Sequence, residues 1–427
     1  MFGDYEAQRH WQEVTVNLPV HHWYTNSSDN DLLYWGLDYP PLTAYHSYAV
    51  GKAGQLVNAS FTELHGSRGL ESEQHKLFMR LSVIVADLLV LFPAVRYLSG
   101  PSLSVSAILL CVYSGLILID HGHFQYNNVS LGLFILAAAL VTRNKDVFGS
   151  IIFSLALNYK QMELYHALPF FFFLLGKALK QRTVCQKLTK LIMIGSAVLL
   201  TFGLVWSPFL LQGLQPTLQV LNRIFPVNRG IFEDKVANFW CSVDIVLKLK
   251  QKLDITQLGL LCLASTFVLS LPSNLHLLMS PTARNFHLSQ LNTSLVFFMF
   301  SFHVHEKSIL LAAIPGILVT TSLSSTSLYT TLFLPWFLTI STFSMLPLLY
   351  KDGLLIPSLA LLVLCLVLHA NLDSLLPKPV QKARISSPLP VEPVSSWEKF
   401  LHFLQFVSLV GCAVLTALFL FYPPPDR

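Results

Sequence analysis

Charge is scarce in this chain: 12% of its 427 residues are Asp, Glu, Lys or Arg, where an ordinary soluble domain carries roughly 25%. With 53% hydrophobic residues and a mean hydropathy of +0.56, that shortage excludes a soluble globular or disordered protein. It points to an all-α polytopic membrane protein. Cysteine is equally uninformative as a staple. Of six cysteines, Cys111, Cys262, Cys365 and Cys412 sit in apolar runs, Cys185 in a basic stretch and Cys241 alone in a polar one. No disulfide framework follows from that placement, and the cysteines read as small hydrophobes. Tandem repeats, low-complexity tracts and a recognisable soluble domain are also missing, and no nucleic-acid partner is expected.

Apolar runs are what the chain does have. Candidate spans fall near 81–98, 103–120, 129–142, 147–158, 163–179, 190–211, 256–279, 288–302, 308–323, 328–349, 352–371 and 400–422. A bilayer-crossing helix needs about 20 apolar residues, so the shortest runs read as tilted or re-entrant. The stretch "GKALKQRTVCQKLTK" carries Lys177, Lys180, Arg182, Lys187 and Lys190 without an acid, which the positive-inside rule places in the cytosol. The Pro- and Ser-rich linker at 373–399 agrees. Alternating outward from there divides the chain into a first luminal loop at 1–79, a bundle at 80–211, a luminal loop at 212–255 and a second bundle at 256–372. The linker at 373–399 then precedes a last span with a short tail at 400–427. Snorkelling lysines at either membrane face are the competing explanation.

This count collects the chemically unusual sequence on one side: residues 1–79, "IDHGHFQYNN", "NYKQMELYH", the 212–255 loop and "FHVHEKS". Asn26 and Asn58 head sequons in the first loop and are candidate N-glycosylation sites. Asn128 and Asn292 head sequons too close to the membrane to be used.

Each candidate carries a plain alternative. Asp4 precedes a helical pattern, "YEAQRHWQEVTV", that buries little and could lie along an interface; taken alone, it is an N-cap. Asp38 in "YWGLDYPPLTAYH" could simply start a Pro-Pro turn. Together they place two carboxylates among Trp11, Trp23, Tyr34, Trp35 and Tyr39, which suits sugar hydroxyls and faces, although an interfacial aromatic belt fits equally. His121 with His123, and His303 with His305, form two His-x-His pairs. Zinc is conceivable, but Lys307 beside the second pair would repel a cation, so anion contacts are favoured over metal. Interfacial histidines that only hydrogen-bond are the alternative. Arg229 with Gly230 can grip a phosphate. Lys160 and Glu163 are ionisable residues between two spans, and pairing with one another would satisfy them. A lipid phosphate headgroup suits this inventory.

The stretches "FGDYEAQRHW", "YWGLDYPPLTAYH", "IDHGHFQYNNVSLG", "NYKQMELYHALPFF", "RIFPVNRGIFEDKVANFWC" and "FSFHVHEKSILL" resemble the dolichyl-phosphate-glucose-dependent α-1,3-glucosyltransferases of the endoplasmic reticulum. The resemblance runs from residue 2 to about 353 and implies a GT-C fold with its active site in luminal loops. Two enzymes of that family act in succession. "GDYEAQRHW", "WGLDYPPLTA" and "RGIFEDKVANFW" look like the first, which glucosylates a nine-mannose lipid-linked oligosaccharide during N-glycan assembly. The second enzyme and a transporter of an anionic solute are the alternatives.

For the first enzyme the resemblance implies inversion without a metal or other cofactor. Its substrates are a dolichol-linked donor and acceptor in the endoplasmic reticulum membrane. It implies Asp4 as general base and Asp38 as the second acidic position. The donor phosphate and substrates then fall to His121, His123, Gln125, Arg229, His303, His305 and Lys307. Family members carry a hydrophobic helix before "GDYEAQRHW" and further membrane sequence after the point where this chain stops. The expectation is therefore that the chain begins inside its first luminal loop.

Overall fold

The computed structural model describes residues 3–101, 104–225, 236–323, 327–371 and 396–422, and among these all regular structure is helical. Six helices are apolar and long enough to cross a membrane: Glu73–Ser99, Val105–Phe124, Gln161–Leu179, Val184–Leu210, Ile255–Met279 and Trp397–Leu418. Other apolar runs of the sequence fall in shorter helices, among them Asn127–Thr142, Asp146–Tyr159 and Leu355–Ala370. The long helices start where side chains can satisfy the first backbone N–H groups. Thr183 and Gln186 form a capping box at the head of Val184–Leu210. Asp254 and Gln257 do the same for Ile255–Met279. The first box shortens the basic loop: Lys187 and Lys190 lie within the helix, and 180–183 make the turn.

Surface and core divide as a bilayer solvent requires. Leu199, Leu200 and Leu204 project outward at 74%, 67% and 75% exposure, leaving a leucine face that lipid would cover. The short helix Leu310–Val319, "LLAAIPGILV", is instead buried at every position. A helix that is apolar all round belongs in the middle of a bundle, and this one sits against Ala283–Phe300, Leu334–Ser344 and Val105–Val112 in one core cluster. Stacked rings knit that core, with Phe153 over Phe170 at 3.9 Å and Phe173 over Phe286 at 4.4 Å. The "HVHEK" motif stands at the mouth of the buried helix.

The polar start folds differently from its sequence pattern. Helix Tyr5–Asn17 does not lie along an interface: every residue from Tyr5 to Thr15 is buried. Its charges are neutralised internally, which removes the reason to keep them in water. Arg9 is 0% exposed and donates to Glu6 at 2.6 Å, Glu13 at 2.7 Å and Ser67 at 2.6 Å. Tyr34 donates to the same Glu6 at 2.9 Å. Breaking such a buried set by removing one partner typically costs about 3–5 kcal/mol. Gly51 lets the next helix, Pro41–Val57, approach: a Cβ there would stand 2.6 Å from Val16. Within the expected loop 1–79, residues 3–72 thus pack as short helices and turns over one end of the bundle, and from Glu73 the chain already runs in the first long helix.

At the opposite end, Asp146 of the "TRNKD" turn is held by Lys177 and, at 2.6 Å, by Lys190. The two segments counted to one side of the membrane do meet at one end.

Candidate active site

A cavity of about 800 Å³ opens beneath the Tyr5–Asn17 layer. The sequence around it explains how side chains far apart come to its wall. Gly3 has φ +60° and sits so close to the next turn that a Cβ would stand 1.7 Å from the His123 carbonyl oxygen. Only glycine fits such a place. Asp4 then donates its N–H to that carbonyl at 3.1 Å, so the "GD" turn is docked on the "HGH" turn. The latter is a π-helical turn, Leu118–Phe124, an irregularity often found at functional sites.

The docked turns put one carboxylate among cations. Asp4 forms an ion pair with Lys307, and its Oδ1 lies 3.4 Å from His123 Nε2. Lys307 Nζ is 3.2 Å from the same nitrogen. Burial alone would raise the Asp4 pKa, but the Lys307 charge and then the His123 contacts hold it well below the usual carboxylate range. Asp4 is therefore an anion at neutral pH. It occupies the N-cap position of its helix without a side-chain capping bond, so capping does not account for it.

A second ammonium faces the same space. Lys160 donates to Gln125 at 3.3 Å and to Asn127, and lies 5.0 Å from the Tyr39 ring centre. Burial and the Lys307 charge push its pKa down to about 8. The pairing of Lys160 with Glu163 does not occur: Glu163 meets His166 at 2.7 Å. Asp38, Trp11, Trp35 and Tyr39 line the cavity as well, while Trp23 is packed into the core below the layer. The "GLD" backbone is held by two further lining residues, Arg223 on the Gly36 carbonyl at 2.9 Å and Gln161 on the Asp38 carbonyl at 3.1 Å.

His303 and His305 also line the cavity, with Glu306 between them and Lys307. His303 holds φ +54°, a left-handed conformation uncommon outside glycine and a recurrent mark of functional segments. One wall is apolar, built from Leu131, Tyr165, Phe297, Leu310, Leu311 and Leu348.

Two predicted site residues stand elsewhere. His121 does not reach the cavity; its Nε2 is 2.9 Å from Asp87 Oδ2 on the neighbouring helix. Residues two apart on a helix do not share a face, so the first histidine of "HGH" turns away when the second turns in. Gln125 is buried behind the wall, where it holds Lys160. Arg229 lies outside the described residues. Asn26 and Asn58 are exposed, as a glycosylation acceptor must be.

The sequence analysis missed Asp352. Its carboxylate accepts from Gly3 N–H at 3.1 Å and from His123 Nδ1 at 2.6 Å. The only local signal was an Asp-Gly pair, which reads as an ordinary turn.

Sequence comparison accounts for this convergence. The whole chain, residues 1–427, matches the ALG6, ALG8 glycosyltransferase family. It is 46% identical to dolichyl pyrophosphate Man9GlcNAc2 alpha-1,3-glucosyltransferase of Gallus gallus, over 100% of this chain and 85% of that one. It is 52% identical to the Mus musculus protein of the same name, over 84% of this chain and 70% of that one. The Pongo abelii protein of that name is 44% identical, over 100% and 85%. A multi-pass helical protein whose polar motifs converge on one cavity, this chain belongs to the ALG6, ALG8 glycosyltransferase family.

Proposed function

We propose that the chain transfers glucose from dolichyl-phosphate-glucose to Man9GlcNAc2-pyrophosphoryl-dolichol in α-1,3 linkage, on the luminal side of the endoplasmic reticulum membrane. The names of its relatives support the acceptor and the linkage. The observation that carries the chemistry is Asp4, an anionic carboxylate held beside Lys307 and His123 in a cavity with one apolar wall.

A sugar hydroxyl is a weak nucleophile until its proton leaves. Asp4 takes that proton while the oxygen attacks the anomeric carbon. The bond from that carbon to the phosphate oxygen breaks, and the electron pair departs with dolichyl phosphate. One displacement from a β-linked donor gives an α product. The phosphate meets Lys307, His303 and His305 at the rim, and the lipid chain follows the apolar wall. Lys307 and the imidazole N–H donors beside it stabilise the leaving anion, so no metal or other cofactor is required. Lys307 has a double part: as the phosphate draws it away, Asp4 loses its counter-charge and becomes a stronger base. Asp38 and the aromatic side chains near it hold the acceptor sugar.

The test is an assay of membranes containing the chain, given dolichyl-phosphate-glucose and the nine-mannose lipid acceptor without added metal. A one-glucose product is expected. Transfer only to an acceptor that already carries one glucose would assign the chain to the second step, and no transfer to either would refute the proposal.

A further inference from the structure

His123 stands between two carboxylates that come from opposite ends of the chain. Asp352, in the turn after helix Leu346–Lys351, lies 2.6 Å from Nδ1, and Asp4 lies 3.4 Å from Nε2. Both the imidazole and the Asp352 carboxylate are buried, at 4% and 7% exposure, and the imidazole lines the cavity. An ionised carboxylate can only accept a hydrogen bond. Nδ1 therefore carries a proton in both the neutral and the charged ring, and Nε2 is the nitrogen that gains and loses one. In the charged ring, which the hydrogen bonds to Asp352 and Asp4 favour against its burial, Nε2 donates to Asp4; in the neutral ring, the form that can take up a proton, Nε2 accepts from Lys307 at 3.2 Å. The charged groups in contact with the ring are these three, Asp4, Lys307 and Asp352, with Lys160, His305, Glu306 and Lys351 further along the same cavity.

We propose that Asp352 is a positioning residue for the transfer: it locks His123 in the Nδ1–H form, so that Nε2 receives the proton Asp4 takes from the acceptor hydroxyl. This rests on Asp4 being the base. The balance is simple. The O–H bond breaks, its electron pair forms the glycosidic bond, and the pair of the broken bond between the anomeric carbon and the phosphate oxygen leaves on dolichyl phosphate. The proton passes from the Asp4 carboxyl to Nε2, and the imidazolium is stabilised by Asp352 until water in the cavity removes it. A base held as acidic as Asp4 would otherwise return the proton readily, and the gap to Nε2 is of the kind that tightens when substrate binds.

Asp352 also ties the Gly3 backbone, so a structural role must be separated from one through His123. Asn at 352 can still accept from Gly3 N–H, but it then presents its NH2 to Nδ1 and forces the other tautomer. The test is a cycle of Asp352→Asn, His123→Gln and the double variant, in full-length chain in membranes with both lipid substrates. Each single variant is expected to lower kcat by about 10²-fold, with KM for donor and acceptor within about threefold. The double variant should be no worse than the weaker single one, because residues acting as one unit are not additive. Additive losses, or a loss carried by KM alone, would reduce Asp352 to a structural tie and overturn the inference. If Asp352→Asn does not accumulate, His123→Gln decides alone: activity within about threefold of wild type refutes the relay. Asp4→Asn separates this from the reading beneath it. An active Asp4→Asn sinks both, whereas an inactive Asp4→Asn with active Asp352→Asn sinks only the relay.

Discussion

Lys307 and Asp4, 303 positions apart in sequence, form an ion pair at the mouth of the cavity. The lysine is delivered by the turn Glu306–Ile309 that leads into the buried helix Leu310–Val319, and the aspartate by the polar layer above it. The pair is thus a joint between the two parts of the fold as well as the centre of the site.

Asp4→Asn keeps the side-chain shape and removes its basicity. Because Asp4 makes no capping bond and the asparagine oxygen can still accept from Lys307, little stability is lost with the substitution. Glucose transfer is expected to fall by about 10²–10⁴-fold, with accumulation, thermal unfolding and donor binding near wild type. Nearly full activity would return Asp4 to the role of a simple helix-start residue.

Lys307→Met separates the two parts assigned to the lysine. Loss of a charge-assisted contact to the phosphate costs about 1.5–3 kcal/mol, a loss of roughly tenfold or more in kcat/KM for the donor. The pH dependence carries the sign. Asp4 is held below the usual carboxylate range chiefly against its burial by Lys307, so ionised Asp4 persists into acid in the wild type. Without the lysine its pKa rises, and the acidic limb of the rate profile must move to higher pH. A kcat/KM profile that stays in place would show that the pair does not form in the donor-free enzyme.

His121 and His305 offer a comparison within one experiment. His121 contacts Asp87 outside the cavity, and His305 lines it. His305→Ala should raise the donor KM by roughly tenfold or more, while His121→Ala leaves it within about twofold. Equal losses for the two variants would mean that the first histidine of "HGH" reaches the donor after all.

Orientation is read from two cysteines. Cys185 is exposed in the first turn of Val184–Leu210, and Cys241 is half-buried in Phe239–Leu247. A membrane-impermeant maleimide applied from the cytosol should label Cys185 and spare Cys241. The reverse pattern would turn the cavity to the cytosolic side and remove the luminal assignment.

Local physics carried the sequence a long way. Hydropathy and scarce charge are properties of short windows, so a membrane class and its apolar helices follow from them. The motif stretches sufficed for the family, and with it Asp4, Asp38, His123, His303, His305 and Lys307, which all line the cavity. Which side chain meets which was settled elsewhere. The pattern of Tyr5–Asn17 looks like a surface helix, and only packing shows Arg9, Glu6 and Glu13 neutralising one another in the interior. "HGH" names two equivalent histidines, and only helix geometry sends His121 to Asp87 and His123 to Asp4. Asp352 looks like a turn residue because its two partners, Gly3 and His123, lie 349 and 229 positions away. Hydropathy and spacing are sums over neighbours in the chain. An ion pair or a fixed tautomer depends on direction and distance between neighbours in space, and the docking of the polar layer on the bundle determined those.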